Sequence, residues 1–472
     1  MASSPSPERP AHLKVTAGSP LAELFLVDHD FALVNRGIGE LDCTVESGVY
    51  KLKAKLGDAI AERLVVLEGD DEIDLSAELD VSSAAPLTGA ARTRDAEDID
   101  AARIESARVD PHDGHAARIF LMSRGWDDEP SPAAAPKLTL HRPDGTLVAD
   151  ASSSEARGGG MAMTVGVDPG PYFLRWEDGC GLPAEQCIHA VEGWQTQLFV
   201  LDEPDDEAAL GRARVSIHMG RDGFDPAEDQ LHIAEQARTA LADERRIAAD
   251  FINEALPERL TNPMLGLFGA HLMLIARNAQ LEAEEERARR DTDRLLAPVQ
   301  FEQKRFDAVV DALGGFLGGD HPDVVALATQ ASGAVVEALP PVSAPPMLWR
   351  SWVLLIEASN LAPALVPVSV WRRTLRLLPL RPFLLWSYEE DQEVADDWTE
   401  GIAQALATAK REPKQQPGGA GPVSNVISAA QSEVSEAGGE GIAASDETRR
   451  RVSRELLAPR SAVDEVASPR ES

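Results

Sequence analysis

Two short clusters of histidine and aspartate are the residues in this sequence whose types and spacing could bind a metal ion. His112, Asp113 and His115 place two imidazoles and a carboxylate close together, a donor set suited to zinc or another divalent cation. Residues 28–30, with the sequence Asp-His-Asp, form a similar cluster. A single loop seldom completes a tetrahedral site. We therefore favour a polar turn between strands for both clusters and keep a metal site as the alternative.

Cysteine chemistry is the second possibility. The chain has 3 cysteines, which do not make a disulfide framework. Cys180 and Cys187 flank a hairpin loop, where they could pair on oxidation or form a reactive thiol site. We expect two free thiols instead, one exposed in the loop and one packed in a strand. The sequence has no Gly-x-Ser-x-Gly, His-Glu-x-x-His or Cys-x-x-Cys motif. We therefore expect no catalytic residues and no cofactor.

The charge balance limits the classes of partner. Asp and Glu number 79 and Lys and Arg 45, which gives a net charge of −34. Such a surface repels phosphate backbones and anionic lipids, so we expect no nucleic-acid partner. No apolar stretch is long and uninterrupted enough to cross a membrane, and the N-terminus does not resemble a signal peptide. These features, with the few cysteines, predict a bacterial-type cytoplasmic protein without membrane insertion.

The elements that would position these groups change type along the chain. The N-terminal half shows short apolar runs separated by turn residues, which predict antiparallel β-sandwich regions. In residues 49–56, Val49, Lys51, Lys53 and Lys55 alternate with apolar residues, as in a half-buried strand. The predicted segments of this half are a disordered N-terminus at 1–11, a first β-sandwich module at 12–77, an acidic linker at 78–101 and a second module at 102–220.

The C-terminal half changes to a helical period. Asp225-Pro226 and Asn262-Pro263 read as helix starts, and the pattern predicts an all-α domain over 225–411. Residues 412–472 are rich in Gly, Ser, Pro and Glu, which predicts a disordered acidic tail. The fold class is thus a multidomain β-then-α chain with a disordered C-terminal tail.

Two sets of residues in the C-terminal half are candidates for partner binding. Trp349 and Trp352 belong to a tryptophan-rich region that forms either a binding groove or the core of the helical domain. In the tail, residues 445–457 have an N-cap and place Val452, Leu456 and Leu457 on one face. This segment could form a short helix on a partner's groove, or remain a solvated helix with no partner.

Two resemblances add to this interpretation. Residues 45–53 and 167–175 read VESGVYKLK and VDPGPYFLR, and each resembles the strand entry of PEGA-like and carboxypeptidase-regulatory-like β-sandwich domains. Residues 262–272, NPMLGLFGAHL, with 321–323 and 345–352, resemble an uncharacterised helical region of bacterial proteins associated with caspase-like peptidases and other effectors. The second resemblance implies an accessory role with such a peptidase or another effector as partner. It brings no catalytic residues.

The sequence favours a non-catalytic scaffold or adaptor that mediates protein–protein interactions and is accessory to a bacterial effector or conflict system. One alternative is a metal-dependent hydrolase that uses dispersed residues such as His29, His112, Asp113 and His115. A second alternative is a structural component of a phage-like particle or injection apparatus.

Overall fold

The computed structural model describes most of the 472 residues. The described residues are 10–18, 22–56, 59–75, 83–87, 96–108, 114–125, 136–151, 160–177, 183–202, 214–244, 256, 260–289, 301–378, 381–388, 392–411 and 444–467. The chain divides into two compact units, one of residues 1–137, 151–168 and 191–309, the other of residues 138–150, 169–190 and 310–472.

The first unit begins with a seven-stranded sheet in the order β6-β5-β2-β3-β4-β1-β7. All neighbouring pairs are antiparallel except β1 and β7, which are parallel. The strands are β1 (Pro10–Thr16), β2 (Glu23–Val27), β3 (Leu33–Ile38), β4 (Glu40–Glu46), β5 (Gly48–Leu56), β6 (Ala59–Leu67) and β7 (Asp71–Asp74).

One side of this sheet is buried and the other is open. In β5, Tyr50, Leu52, Ala54 and Leu56 are buried, and the residues between them are not. The predicted two-residue period of this strand is therefore confirmed. Because successive side chains of a strand point to opposite faces, this period places every second residue of β5 on the open side.

The same unit holds a four-stranded mixed sheet in the order β11-β8-β14-β15. The strands of this sheet are β8 (Ala117–Gly125), β11 (Met161–Val167), β14 (Gln195–Asp202) and β15 (Arg214–Gly220). The same unit contains the helices α1 (Ala96–Ser106), α2 (Asp229–Ala242) and α3 (Pro263–Arg289). Strand β14 is parallel to β8 and antiparallel to β15. Phe120, Phe199 and Phe224 form the aromatic part of the core, with Phe199 lying between the other two rings.

The second unit contains an antiparallel six-stranded sheet in the order β10-β9-β12-β13-β17-β16. Its strands come from two distant parts of the sequence. They are β9 (Thr139–His141), β10 (Leu147–Asp150), β12 (Gly170–Glu177), β13 (Pro183–Ala190), β16 (Leu377–Leu378) and β17 (Leu385–Trp386). All eight residues of β13 are buried, so this strand is covered on both faces.

Helices of the C-terminal part of the chain pack into one core that contains Trp352, Trp386 and Val452. They are α5 (Pro322–Ala328), α6 (Trp349–Ser359), α7 (Val368–Arg373), α8 (Gln392–Arg411), α9 (Asp446–Glu455) and α10 (Arg460–Ala467). Helix α4 (Gln303–Leu317) precedes them and includes the point where the chain passes from the first unit to the second. Within the described part of the chain, no helix combines the length and apolarity that a membrane span requires.

The predicted β-then-α layout is confirmed, with local differences. The side chain of Asn262 caps α3 by accepting from Met264 N (2.9 Å), as its sequence predicts. The helix start at Asp225 was predicted wrongly, because α2 begins at Asp229. There the Asp225 carboxylate accepts from Ala227 N (3.1 Å) and forms a turn.

Five further elements fall where the sequence predicts other structure. Helix α1 overlaps the end of the predicted acidic linker and the start of the predicted second module. Strands β16 and β17 lie inside the region predicted to be all helical. Within the predicted tail, the described residues 444–467 contain α9 and α10, and residues 412–443 lie outside the described part of the chain.

Candidate functional site

The first predicted metal-binding cluster is only partly described. His112 and Asp113 lie outside the described residues. His115 Nδ1 lies 3.1 Å from Asp168 Oδ1, and both side chains are substantially exposed to solvent. Across the ranges that the structure describes, no group of three or more His, Cys, Asp or Glu side chains could hold a metal ion.

The second predicted cluster, residues 28–30, is a turn, as its sequence favours. The carboxylate of Asp28 accepts hydrogen bonds from Asp30 N (2.9 Å) and Ala32 N (2.8 Å). His29 and Asp30 point into solvent, with His29 Nε2 3.6 Å from Asp30 Oδ2. Asp28 thus organises the β2–β3 turn, and at its tip Phe31 has a φ of 60° and a side chain that is 83% exposed.

The cysteine predictions have one testable part. Cys180 lies outside the described residues, whereas Cys187 is a free, fully buried thiol in β13, as expected for a strand position. Its Sγ lies 3.7 Å from Nε2 of His189, a pairing that resembles a thiol–imidazole dyad. Burial raises the pKa of Cys187 well above its usual value, and Asp323 and Glu185 add to the effect. The thiolate needed for nucleophilic attack is therefore not formed at neutral pH.

His189 belongs to a buried polar cluster with His321 and Asp323. The two imidazole rings lie 4.1 Å apart, and burial lowers the pKa of His189 to about 4. His321, at the N-cap of α5, accepts from Asp323 N through Nδ1 (3.2 Å). Burial, and then the neighbouring His189, lower the pKa of His321 well below its usual value. Both imidazoles are therefore neutral at pH 7.

Asp323 joins this cluster to α6. Its carboxylate accepts hydrogen bonds from Met347 N (2.8 Å) and Leu348 N (3.1 Å), which precede that helix. Burial raises the pKa of Asp323 to about 6, although the side chain of Ser351 and these two amides act in the opposite direction. The cluster connects β13, α5 and α6, and no face of it is open to solvent, because His189, His321 and Asp323 are all buried. This arrangement suits a packing role.

The predicted partner-binding residues of the C-terminal half are mostly part of a core. Trp352 and Val452 are completely buried in the same apolar cluster, to which Trp349 also belongs. Leu456 and Leu457 pack against it as partly buried residues. The helix predicted at 445–457 is present, with Ser445 Oγ accepting from Thr448 N (3.1 Å).

The groove that receives helix α9 lies within the chain. Ser453 Oγ accepts from Asn360 Nδ2 (3.2 Å) at the end of α6. Ser359 Oγ accepts from Arg460 N (3.0 Å), which opens α10. The apolar face predicted to meet another molecule thus covers α6 of the same unit.

The open side of the seven-stranded sheet is the strongest candidate for a functional surface. The docking face is defined here as the open side of β6, β5, β2 and β3 together with the turn tip at Phe31. Strand register sets its side chains in rows across the four strands. The rows are Ile60-Lys55-Glu23-Ile38, Glu62-Lys53-Phe25-Arg36, Leu64-Lys51-Val27-Leu33 and, on two strands, Val66-Val49.

Apolar side chains are concentrated in this part of the molecule. Of the 12 large apolar side chains that are exposed among the described residues, 7 lie on β3, β5, β6 or the turn tip. They are Phe31, Leu33, Val34, Val49, Ile60, Leu64 and Val66. Leu64 is 75% exposed and Val66 is 63% exposed. Soluble domains rarely leave such side chains together in water unless the patch binds something.

Basic side chains cross the middle of the docking face. Lys51 Nζ lies 2.7 Å and Lys53 Nζ 3.6 Å from the Glu62 carboxylate, and Lys51 lowers the pKa of Glu62. Arg36 pairs with Glu23 and lies over the ring of Phe25 (5.2 Å). The face therefore combines apolar ends with a basic centre, although the whole chain is strongly acidic.

The sequence predicts one strand of this surface as half buried and does not predict a binding site there. The alternation of Val49 with three lysines predicts the two sides of β5, whereas the apolar run that contains Leu64 and Val66 predicts a strand without indicating its exposed side. The same alternation, applied to Ile60, Glu62, Leu64 and Val66, is the signal that would have found them.

Comparisons of the chain with known proteins found no match. No protein-family model matches the sequence. No curated protein and no solved structure is detectably similar to it.

Proposed function

We propose that this chain is a non-catalytic scaffold or adaptor of the bacterial cytoplasm that binds a protein partner through the docking face. The observation that carries the proposal is the concentration of exposed apolar side chains there, 7 of the 12 among the described residues. An exposed apolar patch rimmed by polar groups is the usual signature of a protein-binding surface.

The turn tip supports the same function. Phe31 has a positive φ, which is costly for a residue with a bulky side chain, and Asp28 holds the turn that imposes it. The aromatic ring gains little from the rest of the protein because it is 83% exposed. An exposed aromatic side chain on a turn whose backbone is held by hydrogen bonds is well suited to fill a pocket on another protein, as interface hot spots do.

The chemistry of the face indicates the kind of partner. Lys51, Lys53 and Lys55 form a basic stripe between apolar side chains, with Glu62 as the acidic residue beside it on β6. A complementary protein surface has an apolar pocket for Phe31 and acidic groups opposite the lysines. The sequence resemblance of the helical region makes a caspase-like peptidase or another effector the partner class that we propose.

The experiment compares proteins that co-purify with the tagged full-length chain from a lysate of the source cells. Leu33→Lys combined with Val49→Lys places two charges on the docking face. Leu361→Lys, at an exposed apolar position elsewhere, is the matched control. We expect at least one protein to be recovered with the wild type and the control and lost with the double variant.

Identical recovery with all three proteins, or no specific recovery with the wild type, would contradict the proposal. Circular dichroism of each variant checks that the chain is folded. A recovered protein is then purified and titrated against the wild type and the double variant, because direct binding separates a true partner from a background protein.

A further inference from the structure

The two edges of the seven-stranded sheet differ in how they are protected from other strands. Strand β7 is four residues long, and its sequence, DEID, places acidic groups along the edge. Strand β6 is nine residues long, AIAERLVVL, with one acidic and one basic residue and neither Gly nor Pro. Short, charged edges discourage pairing with another chain, whereas long apolar edges favour it.

We propose that β6 pairs antiparallel with β6 of a second copy of this chain, which joins two seven-stranded sheets edge to edge. Strand β6 forms a ladder with β5 on one side. Among the described residues, no strand lies on its other side. Its unpaired amides and carbonyls are the template on which a strand is added.

The sequence of β6 suits a two-fold axis at Leu64. In that register Leu64 faces Leu64 of the second copy, Glu62 faces Val66, and Arg63 faces Val65. No like charges are placed opposite each other, which would weaken the pairing. A two-fold axis at Arg63 would put two arginines in direct opposition. An interface that uses the same patch on both copies closes as a dimer.

Charge complementarity at the ends of the strands supports the second copy as the occupant. With the axis at Leu64, Glu68, the residue that directly follows β6 in the second copy, comes to the end of the interface beside Ile60, and Ile60 is paired on its other side with Lys55. Two strand spacings separate the Lys55 and Glu68 backbones by about 10 Å, a distance that the two long side chains can span. Each end of the interface thus places an acidic group near a lysine.

The pairing also has a consequence for the proposed function, and only this consequence rests on that function. A two-fold axis perpendicular to the joined sheet leaves both docking faces on the same side. Phe31, Leu33 and Val49 of each copy stay outside the β6 contact, since they belong to the β2–β3 turn, β3 and β5. A dimer therefore offers a partner two equivalent surfaces, which strengthens binding of a partner with two sites through effective concentration.

The first test is the mass of the purified full-length protein, by sedimentation velocity and light scattering over a range of concentrations. For an interface of this small size we expect a dissociation constant on the order of 10 µM. Leu64→Lys, at a 75% exposed position, should shift the protein to the monomer. Leu361→Lys is the matched control and should dimerise like the wild type. A wild type that stays monomeric well above this concentration, or a Leu64→Lys dimer, would overturn the proposal.

The second test is the register, by oxidation and non-reducing electrophoresis. In Leu64→Cys the two new thiols lie on opposed residues, with Cα atoms ~5 Å apart, within disulfide range. In Glu62→Cys the equivalent Cα atoms are four residues out of register, ~13 Å apart. We expect a covalent dimer for Leu64→Cys only, with the wild type as the control for the native cysteines. A covalent dimer of Glu62→Cys in place of Leu64→Cys contradicts the pairing.

These tests separate the two proposals. The mass measurement needs no partner, so a monomer would overturn the β6 pairing and leave the docking face untouched. A dimer that recovers no partner would contradict the proposed function alone.

Discussion

The seven-stranded sheet and the six-stranded sheet bury their strands in opposite ways. On β5 of the first, buried and unburied residues alternate. On β13 of the second, every residue is buried. Polar side chains on the open sheet point to water, so they need no fixed partner, whereas those on β13 must find one inside the protein.

The partners of Glu185 on β13 are correspondingly specific. Arg175 Nε donates to Glu185 Oε2 (2.6 Å), and Trp386 Nε1 donates to Glu185 Oε1 (3.0 Å). Lys51 and Lys53 near Glu62 on the open sheet are only partly covered. The comparison shows that the buried carboxylate of Glu185 is fixed by partners inside the protein, whereas the charged side chains of the open sheet remain partly in contact with water.

Among the variants that test this comparison, we expect the largest loss of stability when Asp323 is replaced. Asp323→Ala leaves the buried amides of Met347 and Leu348 without their acceptor. We expect a loss of about 3 kcal/mol or more in the free energy of unfolding, measured by urea denaturation. The exposed Asp320→Ala is the control and should change it by less than about 0.5 kcal/mol. Equal effects of the two variants would contradict a structural role for Asp323.

A second expected effect is on the pH dependence of stability. His189 has a folded pKa of about 4, below its usual 6.5, so the unfolded chain binds more protons between these values. The contribution of neutral His189 to the free energy of unfolding is complete above pH 6.5 and is lost as the pH falls towards 4. Between pH 7 and pH 5 this loss is about 2 kcal/mol. Asp323, with a folded pKa of about 6, acts in the opposite direction.

The measurement is a set of urea titrations at pH 7 and pH 5 for the wild type and His189→Gln. The wild type should lose more stability than the variant by about 2 kcal/mol. His29→Gln, at an exposed position, should follow the wild type. Parallel changes in the wild type and His189→Gln would show that His189 titrates normally in the folded protein.

The smallest effects compare neighbouring residues within one strand. On β6, Val65→Thr places a hydroxyl on the buried side, and we expect it to cost about 1–2 kcal/mol. Val66→Thr, on the open side, should cost less than about 0.5 kcal/mol. On β13 the neighbours Cys187 and Ile188 are both buried, so Cys187→Ser and Ile188→Thr should each cost about 1 kcal/mol or more. Urea unfolding of dilute protein measures the loss of stability in all four variants. Equal losses for Val65→Thr and Val66→Thr would contradict the difference between the buried and the open side of β6.

The sequence predicted those parts of the fold that depend on neighbouring residues. The alternation in β5 and the caps at Asn262 and Ser445 are local patterns, and the structure confirms them. Asp225 offered an equally good cap, but its side chain closes a turn before α2. Local sequence does not distinguish these two uses of an aspartate.

The parts that could not be predicted depend on distant pairing. Strands β16 and β17 have two residues each, too few to show a period, and they form because β17 pairs with β13. For the docking face, the sequence predicts only which residues of β5 lie on the outward side of the strand. Whether another part of the chain covers the open side of this sheet depends on tertiary packing. The alternation alone does not reveal it.

The second unit draws two of its segments, residues 138–150 and 169–190, from between segments of the first. Glu185 on β13 accepts a hydrogen bond from Trp386, which lies 201 residues later in the sequence. During synthesis on the ribosome, β13 therefore emerges long before the strand that completes its sheet. A truncation that keeps only residues 310–472 would leave β17 paired with β16 but without β13, so the halves of the gene cannot be expressed separately as two intact folding units.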